Sequence, residues 1–280
     1  MRSASLVLLI SFSLAIAAVP PAAAESCGEV ITIATHDGTT TRYALAGPQA
    51  AQGPGALVLL PGGGGFLDLD DAGCPRSLKG NSLVRSLPLF HGAGFVTALV
   101  DAPSDQRGED GLGGFRIDLR HAEDLGKLIA DVRSRVKGPV WIVGTSRGSI
   151  SAVNVASRLS GAAAPDGLVI TSPVTSGHRG GRKAWVAQTV FDLPLEEIRV
   201  PVLIVGHAED RCIRTPPGQL ENIAARTGSA REQVVVITGG PGGSGTPSVN
   251  ACEGRSPHGF LEQEAEVAAV IARFVGGGGN

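Results

Sequence analysis

Short apolar runs alternate along the chain with longer stretches whose apolar residues recur every third or fourth position. That alternation of strand-like and helix-like periods predicts a mostly parallel sheet flanked by helices. Residues 30–34 and 42–46 flank Asp37-Gly38 and predict an antiparallel hairpin at the start of the sheet. Residues 56–60, 95–100, 140–143, 168–171, 202–205 and 233–238 read as further strands. Between them, 81–90, 117–136, 147–159, 216–227 and 260–275 read as helices. The stretch 117–136 is the clearest: Ile117, Leu119, Ala122, Leu125, Leu128, Ile129, Val132 and Val136 are expected on one helical stripe. Residues 172–199 are polar and irregular and are expected to form a small lid, 239–248 a glycine-rich loop, and 276–280 a frayed tail. No repeat or linker divides the chain, so one domain is expected.

The first two dozen residues break this pattern. Arg2 precedes an apolar run over 6–19, and Ala22 and Ala24 satisfy the small-residue rule for cleavage before Glu25. This predicts a secretory signal peptide over 1–24, a working domain over 25–280, and a secreted or periplasmic protein. The run is short for a bilayer, which takes about 20 apolar residues, although an uncleaved anchor is the competing reading. No later segment resembles a span.

The formal net charge of −2 leaves no basic stripe to draw nucleic acid or anionic lipid. The four cysteines, Cys27, Cys74, Cys212 and Cys252, are an even count in an exported chain and form no C-x-x-C pair. Disulfides are therefore expected rather than a metal site.

The chemistry centres on Gly144-Thr145-Ser146-Arg147-Gly148, a G-x-S-x-G match between a strand and a helix. A serine hydroxyl is a weak nucleophile. It has to project from a sharp turn, where a base reaches it from one side and substrate from the other. Such a turn crowds the residues two before and two after the serine, and both are glycine here. An ordinary N-cap serine in a glycine-flanked turn is the bland reading. Pro61-Gly62-Gly63-Gly64-Gly65 follows an earlier strand, where glycines let backbone N–H groups approach a developing oxyanion. The expected donors are Arg147 and either Gly63 or Gly64. A phosphate loop would need a Gly-Lys-Ser/Thr ending, which is missing.

The strand over 202–205 runs into Gly206-His207-Ala208-Glu209-Asp210, and Asp210 is the expected acid that orients the base. Glu209 and Asp192 are the reserves, and Asp101 is a structural or substrate-side candidate. Among six histidines, His258 lies between the last strand and the closing helix, which completes the order serine, acid, histidine. His36 lies in a turn, His91 and His121 fall on or beside helices, His207 is too near the acid's own strand, and His178 lies in the expected lid. If Asp210 and His258 meet, Cys212 and Cys252 must also be close. Of the three possible connectivities this favours Cys212–Cys252 with Cys27–Cys74. Such a bridge is worth roughly 3 kcal/mol in the loop-entropy account.

These motifs together resemble the α/β-hydrolase superfamily, and within it the small dienelactone-hydrolase-like and esterase-like members. The resemblance covers 61–65, the elbow at Ser146, 206–210 and Pro257-His258-Gly259-Phe260. It implies an eight-stranded, mostly parallel sheet with a triad at its C-terminal edge. True dienelactone hydrolases carry cysteine where this chain has Ser146, and Pro61 replaces the histidine of a His-Gly-Gly-Gly oxyanion loop.

The expected activity is hydrolysis of a small carboxylic ester or acyl substrate by Ser146, His258 and Asp210, with no cofactor and no metal. A peptidase or amidase could use the same groups, and a hydrolase-like binding protein is the non-catalytic alternative. Arg147, His178 and Arg179 would favour an anionic substrate, or else form surface salt bridges.

Overall fold

The computed structural model describes residues 27–48, 53–178, 180–243 and 245–277. The expected signal segment over 1–24, Arg179 and the last residues of the tail lie outside these. Among the described residues no helix is long and apolar enough to cross a membrane.

The expected hairpin forms from β1 (Glu29–Ala34) and β2 (Thr40–Ala46), with Asp37 in a left-handed conformation at the turn. The sheet continues with β3 (Ala56–Leu60), β4 (Val96–Val100), β5 (Val140–Thr145), β6 (Gly167–Thr171), β7 (Val202–His207) and β8 (Glu232–Ile237). Spatial order is β1-β2-β4-β3-β5-β6-β7-β8. β1, β2 and β4 pair antiparallel, and every later pairing is parallel.

Parallel strands need covering on both faces, and the side-chain alternation shows how that is met. Val58 and Leu60, Val140 and Ile142, and Val202 and Ile204 turn to one layer. Leu57 and Leu59, Trp141 and Val143, and Leu203 and Val205 turn to the other. The first layer is closed by α3 (Leu119–Arg135), α4 (Gly148–Arg158) and the short α5 (Leu220–Ala224). The second is closed by α1 (Ser82–Arg85), α2 (Leu87–Gly92) and α6 (Glu264–Val275).

Several helix limits differ from the sequence expectation, each for a local reason. The helix expected over 81–90 breaks at Ser86, because Pro88 sits in the first turn of α2 and supplies no N–H. α3 starts at Leu119, since Asp118 is extended and its carboxylate caps the Arg120 N–H. A separate 3-10 turn, Gly113–Ile117, precedes it. The closing helix starts only at Glu264, after Phe260 and Glu262 adopt positive φ. Among the described residues of 172–199 the helical structure is confined to short 3-10 turns; Val174, Val190, Leu193, Leu195 and Ile198 root this insertion in the first core layer.

Buried polar groups brace the antiparallel end. The His36 imidazole lies between Asp124, 2.5 Å from Nδ1, and Asp105, 3.1 Å from Nε2, with the Phe115 ring against it and the Thr39 hydroxyl 3.4 Å from Nδ1. Burial opposes the imidazolium, but hydrogen bonding and charge from Asp124 and Asp105 outweigh it and raise its pKa above 6.5. A raised folded-state value means that this stabilisation is complete below the unfolded pKa and is lost as pH rises through the folded one. Urea midpoints should therefore fall between about pH 6 and pH 8 more steeply for the parent than for His36→Asn. Equal slopes would show that the ion pair contributes nothing.

Candidate active site

The C-terminal ends of β3, β5, β6 and β7 converge on Ser146. This residue follows β5 directly and holds φ at +50°, a left-handed conformation that a non-glycine residue adopts at a cost of roughly 1–3 kcal/mol. Its N–H donates to Thr171 O at 2.9 Å, and its carbonyl accepts both the N–H and the hydroxyl of Ser149. Crowding explains the flanking glycines. A Cβ on Gly148 would lie 2.0 Å from Leu60 O, and one on Gly144 would lie 2.4 Å from Gly148 O. The chain turns from strand to helix with backbone against backbone, and the serine is left at the apex.

The loop after β3 meets this apex. A Cβ on Gly62 would lie 2.9 Å from the Ser146 Cβ, so Gly62 packs directly beside the nucleophile candidate. Gly62 and Gly63 line the same cavity as Ser146, while Gly64 lies against Gly111 and its carbonyl accepts the Leu112 N–H. Asp101, a structural or substrate-side candidate from the sequence, braces this loop. Its carboxylate accepts the N–H groups of Leu67, Leu69 and Ala102.

Asp210 and His258 come together although they lie 48 positions apart. His258 Nδ1 is 3.0 Å from Asp210 Oδ2, and the side chains are 3% and 1% exposed. The other carboxylate oxygen, Oδ1, accepts the Cys212 N–H at 2.8 Å. The His258 carbonyl accepts the Ser172 hydroxyl, which ties the single turn Pro257–Gly259 to the end of β6. Both disulfides have the expected pairing, Cys27–Cys74 and Cys212–Cys252. The second closes the acid's loop onto the histidine's loop. Cys212 sulfur lies near both Asp210 and His258, but it is committed to that bridge and is no metal ligand.

Ser146 and His258 face one cavity of about 320 Å³, whose other walls include Leu78, Asn81 and Glu253. No direct hydrogen bond joins the Ser146 hydroxyl to His258. Serine–base bonds are commonly long before substrate arrives and tighten around it.

The remaining sequence candidates have other work. Glu209 accepts the Gly243 N–H, and Asp192 forms a capping box with Thr189. His207 bridges Gly239 O and the Glu209 N–H, His91 bonds to Thr97, and His178 is exposed. The Arg147 guanidinium stacks on Trp185 at 3.9 Å. Burial first, then repulsion from Arg214, lowers its pKa to about 10.

Sequence reasoning missed two residues. Thr215 donates its hydroxyl to Asp210 Oδ2 at 2.7 Å and sits 3.0 Å from His258 Nδ1. A threonine five residues after the acid was the only signal, and it is a faint one. Arg116, in the turn before α3, is 1% exposed and reaches under the glycine loop. Its position just before the expected helix over 117–136, after Gly113-Gly114-Phe115, gave no hint of this.

No family model matches the chain, and no curated protein does. Solved structures resemble it along most of its length. An alpha-beta serine hydrolase homologue from Coxiella burnetii is 16% identical, with 90% of this chain and 99% of that one covered at a TM-score of 0.54. A cold-adapted esterase from an Arctic intertidal metagenomic library is 13% identical over 87% and 92%, with a TM-score of 0.56. The chain has the α/β-hydrolase fold. A proline iminopeptidase from Mycobacterium smegmatis, 13% identical over 88% and 97% with a TM-score of 0.55, shares it.

The elbow makes its own prediction. Gly148→Ala forces a methyl into the Leu60 carbonyl, an overpacking that costs roughly 3 kcal/mol. The melting temperature should fall by roughly 6–12 °C. Calorimetry beside Gly92→Ala, where a Cβ meets nothing within 4 Å, checks that the loss is specific to the turn.

Proposed function

We propose that the protein is a serine hydrolase that cleaves small carboxylic esters through Ser146, His258 and Asp210. The observation that carries this is the placement of Ser146 on a strained elbow, facing the same cavity as a buried histidine whose Nδ1 is already held by a carboxylate.

In this reading Asp210 accepts the Nδ1–H of His258, which leaves the lone pair on Nε2 of a ring that lines the cavity. Nε2 takes the Ser146 proton as the serine oxygen attacks the ester carbonyl. The oxyanion accepts hydrogen bonds from Arg147 N–H and from Gly63 or Gly64 N–H. Neither the Arg147 nor the Gly63 N–H has a protein acceptor among the described residues. Collapse of the tetrahedral intermediate passes the proton from His258 to the leaving alcohol and leaves the acyl group on Ser146. Water then repeats the cycle and releases the acid. The chemistry calls for protein groups and water alone, and the cavity volume suits a small acyl substrate.

Two disulfides accord with a secreted or periplasmic chain, the setting that a signal peptide over 1–24 would provide. The resemblance of fold to an iminopeptidase keeps amide cleavage as the second reading.

The parent chain should label with a fluorophosphonate probe and hydrolyse p-nitrophenyl butyrate faster than the matching anilide. Ser146→Ala should lose both labelling and roughly 10⁴-fold or more of kcat. Butyrate turnover that survives this change would end the assignment, and faster anilide turnover would favour the peptidase reading. Thr215→Val, nearly isosteric, removes a hydroxyl from Asp210. The loss of about 1 kcal/mol should lower kcat roughly three- to tenfold with little change in KM, as read by steady-state kinetics.

A further inference from the structure

Arg116 is a charged group in the wrong place for packing alone. It is buried to 1% exposure and takes part in no ion pair with a carboxylate among the described residues. The nearby His121 supplies no anion, since burial first, and then the arginine's own charge, lower its pKa to about 3 and keep it neutral. Burying an unpaired guanidinium is costly, so the contacts it does make call for an explanation.

Those contacts lead to the loop beside Ser146 and to α4. Nη2 donates to Pro61 O at 3.2 Å and Gly63 O at 3.3 Å, while Nη1 donates to Ser151 Oγ at 2.8 Å on α4. The Arg116 carbonyl in turn accepts Nδ2 of Asn154, also on α4. One side chain thus links the helix that begins at the elbow to the glycine loop facing it.

Peptide planarity turns these carbonyl contacts into control of N–H direction. Pinning Pro61 O fixes where the Gly62 N–H points, and pinning Gly63 O fixes the Gly64 N–H. The plane between them is set by the Gly65 N–H donating to Gly62 O at 3.1 Å. Glycine needs such restraint more than any other residue, because it has the widest backbone freedom; Gly63 and Gly65 hold φ at +56° and +76°.

We propose that Arg116 is a positioning residue for ester hydrolysis, which aims the N–H groups of the 62–64 loop at the oxyanion and places an uncompensated positive charge beneath it. This rests on the hydrolase reading above. An arginine that only filled space would affect stability; one that aims donors affects the transition state more than the bound ester.

The test uses Arg116→Met, Arg116→Lys and Ser151→Ala in the full chain, with kcat counted per fluorophosphonate-titrated site. Arg116→Met should lower kcat roughly 30-fold with KM within about threefold of the parent. Inhibition by phenylboronic acid, which adds to the serine as a tetrahedral anion, should weaken in parallel. Arg116→Lys should recover part of both. Should Arg116→Met fail to fold, Ser151→Ala, which removes the Nη1 acceptor together with the hydroxyl bonded to His121 Nε2, should still lower kcat roughly three- to tenfold with the same boronate trend.

A parent-like kcat per labelled site in Arg116→Met, or in Ser151→Ala where the former does not fold, overturns the inference even if the melting temperature drops. In that case parent turnover leaves the hydrolase reading standing. A parent that neither hydrolyses the ester nor binds boronate overturns both.

Discussion

The start of α4 approaches the carbonyl ends of β3 and β5 so closely that no side chain fits between them. Gly148 lies against Leu60 O and Gly144 against Gly148 O, and this contact forces Ser146 into its left-handed conformation. The strain at one residue is small beside the apolar layers that enforce it, because β3, β5 and β7 are buried on both faces. The sheet therefore acts as a rigid base from which a single hydroxyl projects. It also carries the loops after β3, β6 and β7 to the same edge, as parallel sheets with helical crossovers do.

The histidine and its acid depend on restraints of a different kind. Neither lies in a strand or an α-helix, and each loop would be free to drift without a tie. The Cys212–Cys252 disulfide, the Ser172 hydroxyl on the His258 carbonyl and the Thr215 hydroxyl on Asp210 supply three independent ties. A buried carboxylate with both oxygens hydrogen-bonded meets much of its desolvation cost locally. The arrangement holds one imidazole nitrogen of a histidine that lines the cavity, and such asymmetry suits the general-base role proposed for it.

Three arginines bring positive charge near Ser146, and of these Arg147 has the Asp110 carboxylate acting on it. Arg116 is buried beneath the glycine loop, Arg147 is stacked on Trp185, and Arg214 is half-buried near it. Burial lowers the pKa of all three, and repulsion between neighbours adds to the shift for Arg116 and Arg147. Lys183, by contrast, is paired with Glu109 and Asp110 at the surface of the 172–199 insertion. Arg116, buried with no carboxylate partner among the described residues, fits the electrostatic preorganisation of the proposed site better than packing alone.

The strand and helix periods were legible in the sequence because burial of a two-sided sheet imposes them residue by residue, and Ser146, Asp210 and His258 stood out because their chain order and element context are local properties. The disulfide pairing followed from that order. What the sequence did not contain was the set of contacts made across the fold. Thr215 meets Asp210 and His258 only because two loops close on each other, and Arg116 reaches Pro61 and Gly63 only because the turn before α3 tucks beneath β3. Helix limits such as the break at Ser86 and the late start at Glu264 were likewise decided by packing and backbone conformation, which outweigh the periodicity of a single segment. Periodicity records what each residue buries; only the folded chain records what each buried polar atom touches.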